Sequence, residues 1–103
     1  MTDLPHPSRD EIRIEAVLHA LADPVRLQMV RVLAALPPDE GVACGSLDLT
    51  ISKSTTTHHV RTLREAGVIN VRPEGTSRIS RLRRDDLDAL YPGMLDGILN
   101  APR

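Results

Sequence analysis

The sequence predicts a mainly helical fold that carries a small β-hairpin, and three observations lead there. Apolar residues recur with helical spacing through much of the chain. Start and stop residues bracket those stretches: Asp23-Pro24 and Ser52 at beginnings, Gly67 at an end. Between residues 68 and 83 the pattern changes to two short strand-like runs about a glycine turn.

The elements follow in order. Residues 1–7 hold Pro5 and Pro7 and little to bury, which predicts a loose tail. Ser8-Arg9-Asp10-Glu11 has the form of a capping box, which predicts a first helix over residues 8–21 with Ile14, Val17, Leu18 and Leu21 on one stripe. Asp23 caps a second helix, with Pro24 at the first position, where no amide donor is needed. Val25, Met29, Val32, Leu33 and Leu36 face one way on it, and Leu27 and Val30 widen the stripe. Pro37 and Pro38 stop that helix, and residues 37–43 read as a loop. Leu47 and Leu49 belong to a short helix at 45–50. Ser52 is the next cap, for a helix over 53–66 that Gly67 ends. VINVRP (68–73) and RISRLR (78–83) form a hairpin about Glu74-Gly75-Thr76-Ser77. Asp85 caps a last helix over 85–99, with Leu87, Leu90, Tyr91, Met94, Leu95 and Ile98 on one stripe, and Pro92-Gly93 kinks or splits it. A short helix and tight turn before a polar-faced helix is a helix-turn-helix, and a hairpin directly after it is a wing. The order α-α-α-α-β-β-α is therefore a winged helix-turn-helix in one domain over 1–103, with the wing at 68–83.

Composition limits what such a domain does. Of 103 residues, 41% are apolar and 26% charged, a globular balance, while Tyr91 is the one aromatic, so the core is aliphatic. No apolar run reaches the length of a membrane span, and the N-terminus lacks the order of a signal peptide. Cys44 alone builds no intrachain disulfide, which suits the cytoplasm. The net charge of −1 conceals a localised excess. Residues 51–84 hold eight lysines and arginines against two glutamates, whereas both flanks are acidic. A basic stretch inside a near-neutral protein predicts a polyanion as partner.

The helix at 53–66 says which one. Residues on a helix are about 100° apart, so Thr56, His59, Val60 and Leu63 share a face that packs inward. Ser54, Thr57, His58 and Arg61 share the opposite face. Short hydroxyls let the backbone approach a groove floor, the imidazole hydrogen-bonds, and a guanidinium forks onto guanine or phosphate. The helix N-terminus favours a phosphate near Lys53 and Ser54. Arg72 and Arg78 flank the wing tip at Gly75, where a hairpin follows the backbone or dips into a minor groove. With one aromatic there is no stacking platform for single strands, so duplex DNA is the expected partner. No nucleophile elbow and no phosphate-cradling glycine loop is present, which argues against an enzyme.

The stretches ALADPVRLQMVRVL (20–33), ISKSTTTHHVRTLREAGVI (51–69) and EGTSRISRL (74–82) resemble the ArsR/SmtB family of bacterial winged-helix regulators over residues 12–99. The resemblance implies a cytoplasmic homodimer that binds a near-palindromic operator, usually to repress, and lets go when an effector binds. It implies DNA-facing positions at Lys53, Ser54, Thr57, His58 and Arg61. It also implies pairing through the first and last helices, here Ile14, Val17, Leu18 and Leu21 with Leu87, Leu90, Tyr91, Met94, Leu95 and Ile98. The family's thiolate metal motif has only Cys44 here, and the last helix has Asp85, Asp86, Asp88 and Asp96 but no histidine. A zinc site wants about four ligands, so no cofactor is expected. A divalent metal held by oxygen and nitrogen ligands, with His6 or His19 and C-terminal carboxylates across a dimer, stays open, as does a wing that binds only protein. The effector is unknown from sequence.

Overall fold

The structure is a computed structural model that describes residues 4–37, 40–43 and 52–102. Among the described residues there are five α-helices and a small antiparallel sheet: α1 (Ile14–Leu21), α2 (Pro24–Ala34), α3 (Lys53–Ala66), α4 (Arg84–Leu90) and α5 (Met94–Leu99), with β1 (Val42–Ala43), β2 (Ile69–Glu74) and β3 (Ser77–Leu82). This is the mainly helical winged architecture that the sequence predicts. The expected helix at 45–50 and Cys44 lie outside the described residues.

The local chemistry explains the boundaries. Asp23 Oδ1 accepts the Val25 and Arg26 amides at 2.8 and 3.0 Å, and Pro24 follows it. Ser52 Oγ accepts the Thr55 amide at 3.2 Å. Gly67, at φ +86°, closes α3: its amide reaches the Arg64 carbonyl, and the Val68 amide reaches the Leu63 carbonyl. Those two bonds satisfy carbonyls that a helix end otherwise leaves bare.

The structure corrects the sequence reading in several places. The first helix does not begin at Ser8. The Ser8 amide donates to the Glu11 carboxylate at 2.8 Å and closes a single 3-10 turn over Arg9–Glu11. Ile12 then leaves the helical path to enter the core beside Gly67, and α1 starts at Ile14. The tail is docked rather than loose over residues 4–7. The Pro5 carbonyl accepts from Arg64 and the Pro7 carbonyl from Arg83, both at 2.7 Å, and His6 Nε2 accepts the Val71 amide at 2.9 Å.

The supposed loop at 37–43 contains β1, which pairs with β3 through Val42 with Ser80 and Ala43 with Ile79. The strand order is β1-β3-β2, so the hairpin gains a third strand. Gly41 makes that approach possible, because a Cβ there would lie 2.5 Å from Ile79 Cγ2. Another correction is that Asp85 is not a cap. It sits in the first turn of α4, whose N-cap is Arg83 with no side-chain bond to the helix end as a cap, and Gly93 at φ +81° separates α4 from α5.

The core is aliphatic and joins all layers: Val17, Met29, Val30, Leu63, Val71, Leu87 and Leu95 are among its buried members. The buried stripe of α2 is Arg26, Met29, Val30 and Leu33, rotated from the stripe read in the sequence, so Val25, Val32 and Leu36 are only half-buried. Among the described residues no helix is long and apolar enough to cross a membrane.

Candidate DNA-binding face

α3 is held from below and open above. His59, Val60, Leu63, Arg64 and Ala66 are buried, while Ser54, Thr57, His58, Arg61 and Glu65 are exposed. The exposed set follows the helical repeat and forms a single polar face. Its members differ in freedom. Ser54 Oγ lies 3.3 Å from Ser52 Oγ at the capped end. The His58 ring stands 5.6 Å from the His59 ring, and its carbonyl accepts the Thr62 hydroxyl at 3.1 Å. Arg61 pairs with Glu65 at 3.5 Å, one turn along, with 66% of its side chain exposed. An exposed pair of that kind is worth about 0.3–0.5 kcal/mol, so Glu65 holds the Arg61 guanidinium only weakly. The Lys53 side chain lies outside the described part of the chain.

The wing shows where the basic residues point. Gly75, at φ +63°, makes the tight turn, and Glu74 pairs with Ser77 across it. Residues opposite one another in a sheet share a face. Arg72 pairs with Ile79 and therefore lies on the outer face, with Asn70 and Arg81. Arg78 pairs with Pro73 and lies on the face that carries Val71 and Ser80 into the core. Both arginines are exposed, on opposite faces of the hairpin near its tip. Arg81, by contrast, is tied to Glu74 at 2.9 Å.

The dimer stripe of the sequence reading divides in two. Val17, Leu21, Leu87 and Leu95 are buried within the single chain, so they have no surface for a partner. Helical spacing identifies an apolar face but not what covers it. Leu18 is 50% exposed, and Ile14, Leu90, Tyr91, Met94 and Ile98 are half-buried.

Sequence reasoning overlooked Arg26, Arg64, Arg83 and the docking role of His6. Arg26 had a signal: it stands at i, i+3, i+4 and i+7 with Met29, Val30 and Leu33, a charge on an apolar stripe. His6 is committed to the Val71 amide through Nε2. Its pKa is lowered by burial, and the Arg64, Arg83 and Arg72 cations around it push the same way, against a hydrogen bond to Leu4. Among the described residues no three His, Cys, Asp or Glu side chains gather as a metal cluster.

This fold and this face define a class, the winged helix-turn-helix regulators of transcription. Residues 21–72 match the family model described as a helix-turn-helix domain. The chain belongs to that helix-turn-helix family and is a transcriptional regulator rather than an enzyme. It is 33% identical over 91 residues to an uncharacterized HTH-type transcriptional regulator of Bacillus subtilis, YceK, covering 86% of this chain and 88% of that one. Among solved structures it is similar to a possible transcriptional regulator for arsenical resistance, at 28% identity and a TM-score of 0.62, over 78% of this chain and 80% of that one. An ArsR family transcriptional regulator superposes with a TM-score of 0.66 at 17% identity, over 82% and 90% of the two chains, a likeness of fold.

Proposed function

We propose that the chain is a sequence-specific regulator that reads a duplex operator with the exposed face of α3 and steadies itself with Arg72 and Arg78 of the wing. The observation that carries this reading is the sorting of α3 into two faces. Ser54, Thr57, His58 and Arg61 are all exposed, on a helix whose opposite side is locked into the core. Hydroxyls, imidazole and guanidinium on a rigid support have the chemistry to contact base edges and phosphates. The chain acts in the cytoplasm as a homodimer on a near-palindromic operator, with half-sites about 34–36 Å apart. Leu18 on α1, half exposed, together with the half-buried residues of α4 and α5, supplies the apolar seam. As with many such regulators, it represses until an effector binds.

Selection of bound duplexes from a random pool, followed by gel shifts at two salt concentrations, tests the proposal. Enrichment of a palindrome, with affinity that falls steeply as salt rises, supports it. A pool without enrichment, and no shift at low salt, overturns it in favour of a protein-binding wing.

A further inference from the structure

The buried stripe of α2 contains a cation. Arg26 is only 8% exposed, and its guanidinium spans three elements. Nε donates to the Ala20 carbonyl at 2.7 Å and Nη2 to the His19 carbonyl at 3.3 Å, both in the last turn of α1. Nη1 lies 3.1 Å from Nδ1 of His59 on α3. A guanidinium has donors only, so Nδ1 of His59 is the acceptor and the ring hydrogen is on Nε2. His59 is itself 8% exposed and adjoins His58 on the open face. Asp23, capping α2 next to Arg26, stays well ionised: the Arg26 amide bond lowers its pKa against a desolvation penalty, and the Val25 amide and the Arg26 charge add to that.

We infer that Arg26 and His59 are positioning residues for DNA reading, a clamp that fixes the roll of α3 about its own axis. The inference rests on the reading of α3 as the DNA-facing helix. Arg64 makes the other directional tie, to the Pro5 carbonyl of the tail near the end of the helix; the rest of the packing under α3 is aliphatic, through Val60 and Leu63, and apolar contact has no direction. A hydrogen bond has one. A roll of about 20° moves a side-chain tip on the helix surface, about 6 Å from the axis, by about 2 Å. That distance is enough to break a hydrogen bond to a base edge. The Arg26–His59 bond resists that roll because the other side of the guanidinium is anchored to two main-chain carbonyls that do not move with α3.

His59→Leu, His59→Asn and Arg26→Lys test the clamp. Each is measured on a duplex that the wild-type chain selects from a random pool, and on an unselected duplex of the same length. Leucine fills the space without an acceptor, whereas the asparagine Oδ1 stands where Nδ1 stood. The expected result is a folded His59→Leu chain that binds the selected duplex at least tenfold more weakly, with affinity for the unselected duplex changed less than twofold. His59→Asn restores binding to within threefold. A structural role alone would lower both affinities together with the folded fraction. His59→Leu that discriminates as the wild type does, or His59→Asn that is as weak as His59→Leu, overturns the inference. Should His59→Leu fail to fold, Arg26→Lys keeps the charge but loses the fork. A selective loss in it supports the clamp, and wild-type discrimination overturns it. A wild-type chain that enriches no duplex overturns the DNA reading itself, and with it the need for a fixed roll.

Discussion

Gly67→Ala should be among the most damaging single-methyl additions in this chain. Gly67 ends α3 at φ +86°, where an L side chain is strained, at about 1–2 kcal/mol. Space is short as well. A Cβ there would lie 2.6 Å from Cγ1 and 2.8 Å from Cδ1 of Ile12, and 3.3 Å from Cγ of Pro7. Ile12 is buried and cannot swing aside, so overpacking adds about 1–3 kcal/mol. The total is about 2–5 kcal/mol. At about 4 °C per kcal/mol for a domain of this size, the Tm falls by roughly 8–20 °C. Gly93→Ala is the control, because Gly93 has φ +81° but nothing within 4 Å of its Cβ position. It should cost only the backbone part, about 1–2 kcal/mol. Thermal melts followed by circular dichroism give both values. Ile12→Ala removes the two nearest obstructing atoms and leaves Pro7 Cγ at 3.3 Å, and in that background Gly67→Ala should cost close to what Gly93→Ala costs. Equal losses for the two glycines in the wild-type background, or a cycle with no coupling, would refute the steric argument.

Other outcomes follow from the same structure. Arg61→Ala and Thr57→Ala should each weaken binding to a selected duplex by about 1–3 kcal/mol, with unchanged circular dichroism. Leu18→Glu should give folded monomers in sedimentation, because it places carboxylates in an apolar seam without a cation. Leu95→Ala should instead destabilise the single chain by about 2–5 kcal/mol, since Leu95 is fully buried there. The His6 pKa lies below its usual 6.5. Its neutral form therefore contributes stability that is complete above pH 6.5 and is lost as pH falls through the folded value. Urea titrations at several pH values should show that slope reduced in His6→Leu, and an unchanged slope would count against the docked tail. At Asp86 burial raises the pKa, but the Arg9 and Arg83 hydrogen bonds outweigh it and hold the group below 3.8. Stability from that pair is present above pH 3.8 and lost below it, and Asp86→Asn should remove this acid limb.

What could be read in advance was what local chemistry decides. Asp23, Ser52 and Gly67 mark helix ends through bonds to residues two to five positions away, so the signal and its partner lie in one short window. The two faces of α3 follow from the helical repeat in the same way. The misreadings involve distant partners. β1 is two residues long and has no period of its own; it exists because β3 offers an edge to Val42 and Ala43. The tail looks loose because its partners, Arg64, Val71 and Arg83, come from α3, β2 and the start of α4. Leu87 and Leu95 share a stripe with Met94 and Ile98, and nothing along the chain tells which of them meets its own core. Arg26 was legible and overlooked, since a charged residue at a buried helical position must have acceptors waiting.

The docked tail also constrains how the protein is made. Pro5, His6 and Pro7 are synthesised 59, 65 and 76 residues before Arg64, Val71 and Arg83, respectively. At about 5–20 residues per second, their partners appear roughly 3–15 s later. Through that interval the Pro5 and Pro7 carbonyls and His6 Nε2 lack the partners they have in the fold, while α1 and α2 already exist as sequence. The tail, made well before its partners, is thus among the last segments to be placed. A ribosome paused before Arg83 holds a nascent chain whose tail cannot yet complete its attachment.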